Sequence, residues 1–179
     1  MKKTFILLLA AFVVLSALSS CKKSKDAVPP PGPSAGVYVG NIAFNFTETD
    51  SQGNPVTLES FRGNVILLTF STMWCNPCRA ETPELVGLYN TYKERGLEII
   101  QFIYQDEDRN SADLNDLARW INEFGTNFIV CNDPDPSTVS RYDPEAIPLN
   151  LIIDRDFIIR YRDSGYHPNE VRQWIESLL

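Results

Sequence analysis

The sequence predicts one α/β domain, a central mixed β-sheet flanked by helices, with a β extension at its N-terminal end. Three observations carry that expectation. Val65–Phe70 and Leu97–Ile103 are continuous apolar runs, the composition of strands buried on both faces of a sheet. Each is followed by a segment with apolar residues at helical spacing. Leu149–Ile153 and Phe157–Tyr161, paired across an Asp154-Arg155-Asp156 turn, then lead into a closing helix over Asn169–Leu179.

The elements follow in chain order. Met1-Lys2-Lys3 is basic, and Phe5 to Leu18 is an apolar run of 14 residues, the length of a signal-peptide core and short for a membrane span. Leu18-Ser19-Ser20-Cys21 resembles a bacterial lipobox. That resemblance implies a signal peptide over residues 1–20, cleavage before Cys21 and lipid on the Cys21 sulfur. An ordinary secretory signal with an incidental cysteine is the competing reading. Residues 21–37 hold Pro29, Pro30, Pro31 and Pro33 among Ser and Lys, a stretch that cannot bury apolar surface. As an extended tether it would reach roughly 45 Å, enough to hold a domain clear of a lipid surface.

The domain is expected over residues 38–179. Ile42–Thr49 and Val56–Leu58 read as strands around a Ser51-Gln52-Gly53-Asn54 turn. A helix is expected over Asn76–Glu94, with Leu85, Leu88, Tyr89 and Tyr92 on one face and Gly96 past its end. A second, over Ser111–Phe124, carries Leu114, Leu117, Trp120, Ile121 and Phe124 on one stripe. Phe128–Val130 reads as a short strand and Ser137–Tyr142 as a short helix. Strand–helix–strand–helix followed by a hairpin and a helix is the element order of a thioredoxin-like domain.

Composition narrows the function. The chain of 179 residues is 44% hydrophobic and carries a formal net charge of −7. It lacks the basic face that phosphate binding needs, which argues against nucleic acid as a partner. Outside the cytoplasm disulfides persist, so the four cysteines take on meaning. Cys21 would carry lipid and Cys131, at the end of an apolar strand, reads as a buried inert thiol.

Cys75 and Cys78 form a C-x-x-C pair, Trp74-Cys75-Asn76-Pro77-Cys78, between a buried strand and a helix. At a helix N-terminus, unpaired N–H groups and the macrodipole favour the thiolate. Pro77 suits the first turn, where no N–H donor is needed. Cys75 is the expected nucleophile and Cys78, one turn on, the resolving thiol that releases a mixed disulfide. A structural disulfide is the first alternative, although so short a loop constrains the unfolded chain little. A zinc site is the second; His167, Cys131 and the absence of another C-x-x-C supply too few ligands for it.

The segment from Phe61 to Leu85, with Gly63, the apolar run, Trp74-Cys75-Asn76-Pro77-Cys78 and Arg79-Ala80-Glu81-Thr82-Pro83-Glu84-Leu85, resembles the TlpA/ResA-type thiol–disulfide oxidoreductases. The resemblance extends through Ile147-Pro148 and covers essentially Asn41 to Leu179. It implies a redox-active Cys75–Cys78 disulfide that exchanges with protein clients, without cofactor or metal. It makes Glu81 the active-site carboxylate that moves protons and biases thiol pKa values, in place of the buried Asp that thioredoxin has at the position of Thr69. It makes Pro148 the cis-proline whose loop, with Trp74 and the backbone of Ile147, receives a client strand. By the family's usual role the protein is a membrane-anchored reductant on the periplasmic side, recharged by a membrane or soluble redox partner and serving exported clients such as cytochrome c apoproteins. Lys22, rather than Asp, after Cys21 favours the outer membrane. Leu149, Phe157, Ser71 and Asn76 depart from the family pattern. A redox-inert client-binding lipoprotein and a thiol peroxidase are the other readings of the same fold.

Overall fold

The computed structural model describes residues 32–179. The expected signal peptide, Cys21 and most of the tether lie outside them. Among the described residues no helix is long and apolar enough to cross a membrane.

The described chain is built on a seven-stranded mixed sheet. Its strands are β3 (Thr47–Asp50), β4 (Pro55–Thr57), β5 (Val65–Ser71), β6 (Leu97–Ile103), β7 (Ile129–Asn132), β8 (Leu149–Ile153) and β9 (Ile159–Ser164). They lie side by side in the order β4-β3-β7-β6-β5-β8-β9, with β5, β6 and β7 parallel and the outer pairs antiparallel. A separate parallel pair, β1 (Ala35–Gly36) with β2 (Ile42–Ala43), forms the N-terminal extension. Regular structure thus reaches back to Ala35, inside the stretch expected as tether. The helices are α1 (Asn76–Tyr92), α2 (Leu114–Phe124), α3 (Ser137–Tyr142) and α4 (Pro168–Leu178). This is the thioredoxin-like architecture expected from the element order.

Every residue of β5 is buried, as its apolar run requires. Its alternation feeds two cores. Val65 and Leu67 pack with Leu85 and Leu88 of α1, Leu117 and Trp120 of α2, and Val171 and Ile175 of α4. Ile66, Leu68 and Phe70 face the other way, against Phe46, Phe102 and Tyr142. There Phe70 stacks on Phe102 at 5.0 Å, and Phe46 meets Phe102 edge-on at 5.1 Å.

Several boundaries differ from the sequence expectation, each for a local reason. Ile42–Thr49 is not one strand, because the carbonyls of Phe44 and Asn45 accept from the Tyr142 hydroxyl and Arg141 instead of a neighbouring strand. The second helix starts at Leu114 because Asp113 caps it, its carboxylate accepting from the N–H groups of Asn115 and Asp116. Gly125, in the left-handed region at φ 63°, closes it. The last hairpin strand starts two residues late. Asp154 Oδ1 accepts from the N–H groups of Asp156 and Ile158, and Phe157 sits at φ 68° in the turn, a conformation that favours glycine. Its ring is buried, with the Arg62 guanidinium 4.1 Å above it, and that packing offsets the backbone strain.

Candidate active site

Cys75 and Cys78 meet where β5 gives way to α1. Cys75 is the N-cap of α1 and Pro77 lies in its first turn, so the cysteines sit at the helix positions that favour an anion. They are joined as a disulfide, with Cα atoms 5.3 Å apart. The Cys75 sulfur accepts the Cys78 backbone N–H at 3.2 Å, the bond that would hold a Cys75 thiolate in the reduced protein. Cys75 is 4% exposed and Cys78 fully buried, so access is to Cys75 first. That asymmetry fits attacking and resolving roles.

The opposite wall is the loop before β8. The Ile147–Pro148 peptide bond is cis, and the Ile147 carbonyl oxygen lies 3.8 Å from the Cys75 sulfur. Gly165 N–H donates to the Pro148 carbonyl at 2.7 Å and ties this loop to the end of β9. Trp74 directly precedes Cys75 in the chain. Its indole N–H donates to Gln105 Oε1 at 3.0 Å, and the Arg109 guanidinium stacks 4.0 Å over its ring. Arg109 itself has φ 69°. Its loop is pinned by Asp106, whose Oδ1 accepts from the backbone N–H groups of Asp108 and Asn110.

Glu81, one turn beyond Cys78, points inward and is 2% exposed. Burial pushes its carboxyl up to about 7, against the lowering effect of a 2.7 Å bond donated by Asn150 Nδ2 to Oε1. Its other oxygen, Oε2, is buried without a partner. A surface glutamate, the ordinary alternative at such a position, is excluded by this burial. Pro83 lies within α1, which continues through it to Tyr92.

Beneath α1 the sheet carries a polar row. The pairing register sets Asn150 of β8, Thr69 of β5 and Gln101 of β6 side by side, on the face that meets the helix. All three are buried. Gln101 donates to the hydroxyls of Thr82 (3.1 Å) and Ser71 (3.4 Å) and accepts from the Trp120 indole at 3.0 Å. Thr82 in turn donates to the Cys78 carbonyl at 2.9 Å. A chain of hydrogen bonds therefore runs from Trp120 of α2 to the backbone of the resolving cysteine. Asn150, Gln101 and Trp120 were not among the expected site residues. Their signal was present: polar residues interrupt all three apolar strands, and the shared register sets Asn150, Thr69 and Gln101 in one row.

Cys131 lies apart, fully buried in the core on the sheet's other face. Burial first, and then the Asp50 and Glu48 carboxylates, hold its thiol in the protonated form.

Comparison with known proteins agrees with this geometry. The chain is 33% identical over 122 residues to the thiol-disulfide oxidoreductase ResA of Bacillus anthracis, and 28% identical over 143 residues to that of Geobacillus kaustophilus. The alignments cover 67% of this chain and 66% of the first relative, and 79% of both chains for the second. Among solved structures it resembles the thioredoxin domain of a Bacteroides vulgatus thiol-disulfide oxidoreductase, with a TM-score of 0.66 and 24% identity over 77% of this chain and 98% of that one. A secreted disulfide oxidoreductase of Mycobacterium tuberculosis gives 0.62 and 22%, over 74% and 96%. These two likenesses bear on the fold. Residues 39–162 match the AhpC/TSA family over more than half of the sequence, and the chain belongs to that family.

Proposed function

We propose that the protein is a thiol–disulfide oxidoreductase that works outside the cytoplasm, held to a membrane by lipid on Cys21, and reduces disulfides in exported protein clients. The observation that carries this reading is the asymmetric pair itself. Cys75 is capped for thiolate formation and faces the Ile147 carbonyl, while Cys78 is buried behind it beside a carboxyl held near neutrality. The relatives named thiol-disulfide oxidoreductase ResA support the same chemistry.

The mechanism follows from the placement. A client strand lies along residue 147 by main-chain hydrogen bonding, with the Trp74 ring as a flank. The Cys75 thiolate attacks the client disulfide, forming a mixed disulfide and expelling one client thiolate. Cys78 gives its proton to the Glu81 carboxylate and attacks the Cys75 sulfur. The Cys75–Cys78 bond forms and the second client thiolate leaves. Two electrons pass from the sulfur pair to the client, and a separate reductant restores the dithiol. Paired cysteines in exported proteins, cytochrome c apoproteins included, are the clients this chemistry fits.

The full chain carrying Cys78→Ser should trap clients as stable mixed disulfides on Cys75. Expected partners are exported cysteine-bearing proteins, recovered in the membrane fraction, and an added Cys21→Ser should move the complexes to the soluble fraction. Trapping of cytoplasmic proteins alone would overturn the extracytoplasmic reading.

A further inference from the structure

We propose that Asn150 is the positioning residue for proton exchange at Glu81, forming with it an acid–amide pair that the transferred proton closes. This rests on the reading of Glu81 as the proton acceptor for Cys78. The argument begins with unsatisfied atoms. Asn150 is 1% exposed and Glu81 2%, and one bond joins them, Asn150 Nδ2 to Glu81 Oε1 at 2.7 Å. The remaining oxygen of each, Glu81 Oε2 and Asn150 Oδ1, is buried and unpartnered. Two buried acceptors left bare are costly, and neither can donate to the other while Glu81 is ionised.

One proton resolves both. A protonated Glu81 carries an O–H on Oε2, and Asn150 Oδ1 is the bare acceptor of the amide already bonded to it. Acid and amide are complementary in this way: N–H to C=O on one side, O–H to C=O on the other. The ionised carboxylate keeps the Nδ2 bond and loses the other. Asn150 therefore serves both protonation states, and the proton taken from Cys78 has a prepared resting place. In the resolving step the Cys78 thiol gives its proton to Glu81 Oε2. The Cys78 thiolate forms the bond to Cys75, the client sulfur leaves with its electron pair, and the proton is then lost to that thiolate or to water.

Position supports this. Asn150 is two residues beyond Pro148 and opposite Thr69 in the register, so one strand carries both the client-facing loop and the partner of Glu81. Other groups near Glu81 do not compete for the role. Cys78 and Glu84 lie on its own helix. Tyr166, between β9 and α4, has its phenol pushed up by burial and by the Glu84 and Glu81 charges. β5 contributes the Thr69 hydroxyl, which is itself unpartnered. Among the described residues no Lys, Arg or His makes an ion pair with Glu81.

The test follows the Glu81 side-chain carboxyl carbon and the Asn150 side-chain amide by NMR against pH. In the wild type both should titrate with one midpoint. In Asn150→Leu, close in shape but without the donor, the Glu81 midpoint should rise by about one pH unit, equal to a tenfold weaker acid. In the Cys75→Ser background, the pH profile of Cys78 alkylation should shift by the same amount. An Asn150 amide that ignores the titration, or an unmoved midpoint in folded Asn150→Leu, would overturn the inference. The wild-type titration decides the matter even if the variant does not fold. A Glu81→Gln variant separates the two levels: if Cys78 alkylation keeps its profile there, Glu81 does not exchange protons with Cys78 and the parent reading fails first.

Discussion

Cys75→Ser should reduce insulin no faster than the uncatalysed background while keeping the wild-type fold. The fold survives because serine is a favoured N-cap, and its hydroxyl can accept the Cys78 N–H that the sulfur accepts now. The lost disulfide closes so short a loop that its removal costs little chain entropy. The activity is lost because Cys75 is the accessible member of the pair and, among the described residues, no other cysteine can replace it. Cys131 is buried on the opposite face of the sheet, and Cys131→Ala should leave turnover within about twofold of wild type, with a stability loss of about 1 kcal/mol. Insulin turbidity on the three proteins reads the outcome. Turnover that does not depend on Cys75 would leave the redox-inert client-binding reading in its place. Peroxide consumption that depends on Cys75 but not Cys78 would favour the thiol peroxidase.

Glu81→Gln should make the oxidised protein more stable at alkaline pH and slower at its chemistry. Burial is the cause of both. The Glu81 carboxyl titrates at about 7 in the folded chain, against 4.5 for the free side chain. Below pH 4.5 folded and unfolded chains are both protonated there, and the site costs nothing. As pH rises toward 7 the unfolded chain ionises freely while the native site resists. The native state then binds more protons than the unfolded one, and stability falls with rising pH. Above about pH 7.5 the loss levels off near 3 kcal/mol, from about 1.4 kcal/mol per pH unit. Glutamine removes the titration and can still accept from Asn150 Nδ2, so the variant should show no such fall. Denaturant unfolding at pH 4.5 and pH 8 measures the difference. A parallel pH dependence in the two proteins would contradict a buried titrating carboxyl. The kinetic cost has the opposite sign: the rise in exchange rate through neutral pH should flatten in the variant, because Cys78 loses its base. A stabilising substitution that slows the reaction is what a buried proton-transfer group predicts.

The strands of the central sheet were legible because β5, β6 and β8 are almost wholly buried and therefore read as predominantly apolar runs. The pair of cysteines was legible from Pro77 and from the change of period that follows them. Other features could not be read along the chain. The first predicted strand breaks at Phe44 and Asn45 because their carbonyls serve side chains of α3, almost a hundred residues away in sequence. Glu81 looked like any exposed glutamate by spacing, and its inward direction came from resemblance before burial showed it. Asn150 and Gln101 were visible as polar interruptions, yet only the register Asn150–Thr69–Gln101 gives them one purpose. That purpose lies in cross-strand neighbours, which no local period encodes. The turn at Phe157 places a bulky residue in the left-handed conformation that suits glycine, and the chain holds it by burying the ring under Arg62.

The central claim is that this pair donates electrons to its clients, and the equilibrium reduction potential of the Cys75–Cys78 couple tests it most directly. Equilibration of the full chain with defined thiol–disulfide buffers at pH 7, read by alkylation and mass shift, gives the value. The account predicts a couple more reducing than about −250 mV, below the glutathione pool. A value well above that of glutathione would make the pair an oxidant and contradict the direction proposed here.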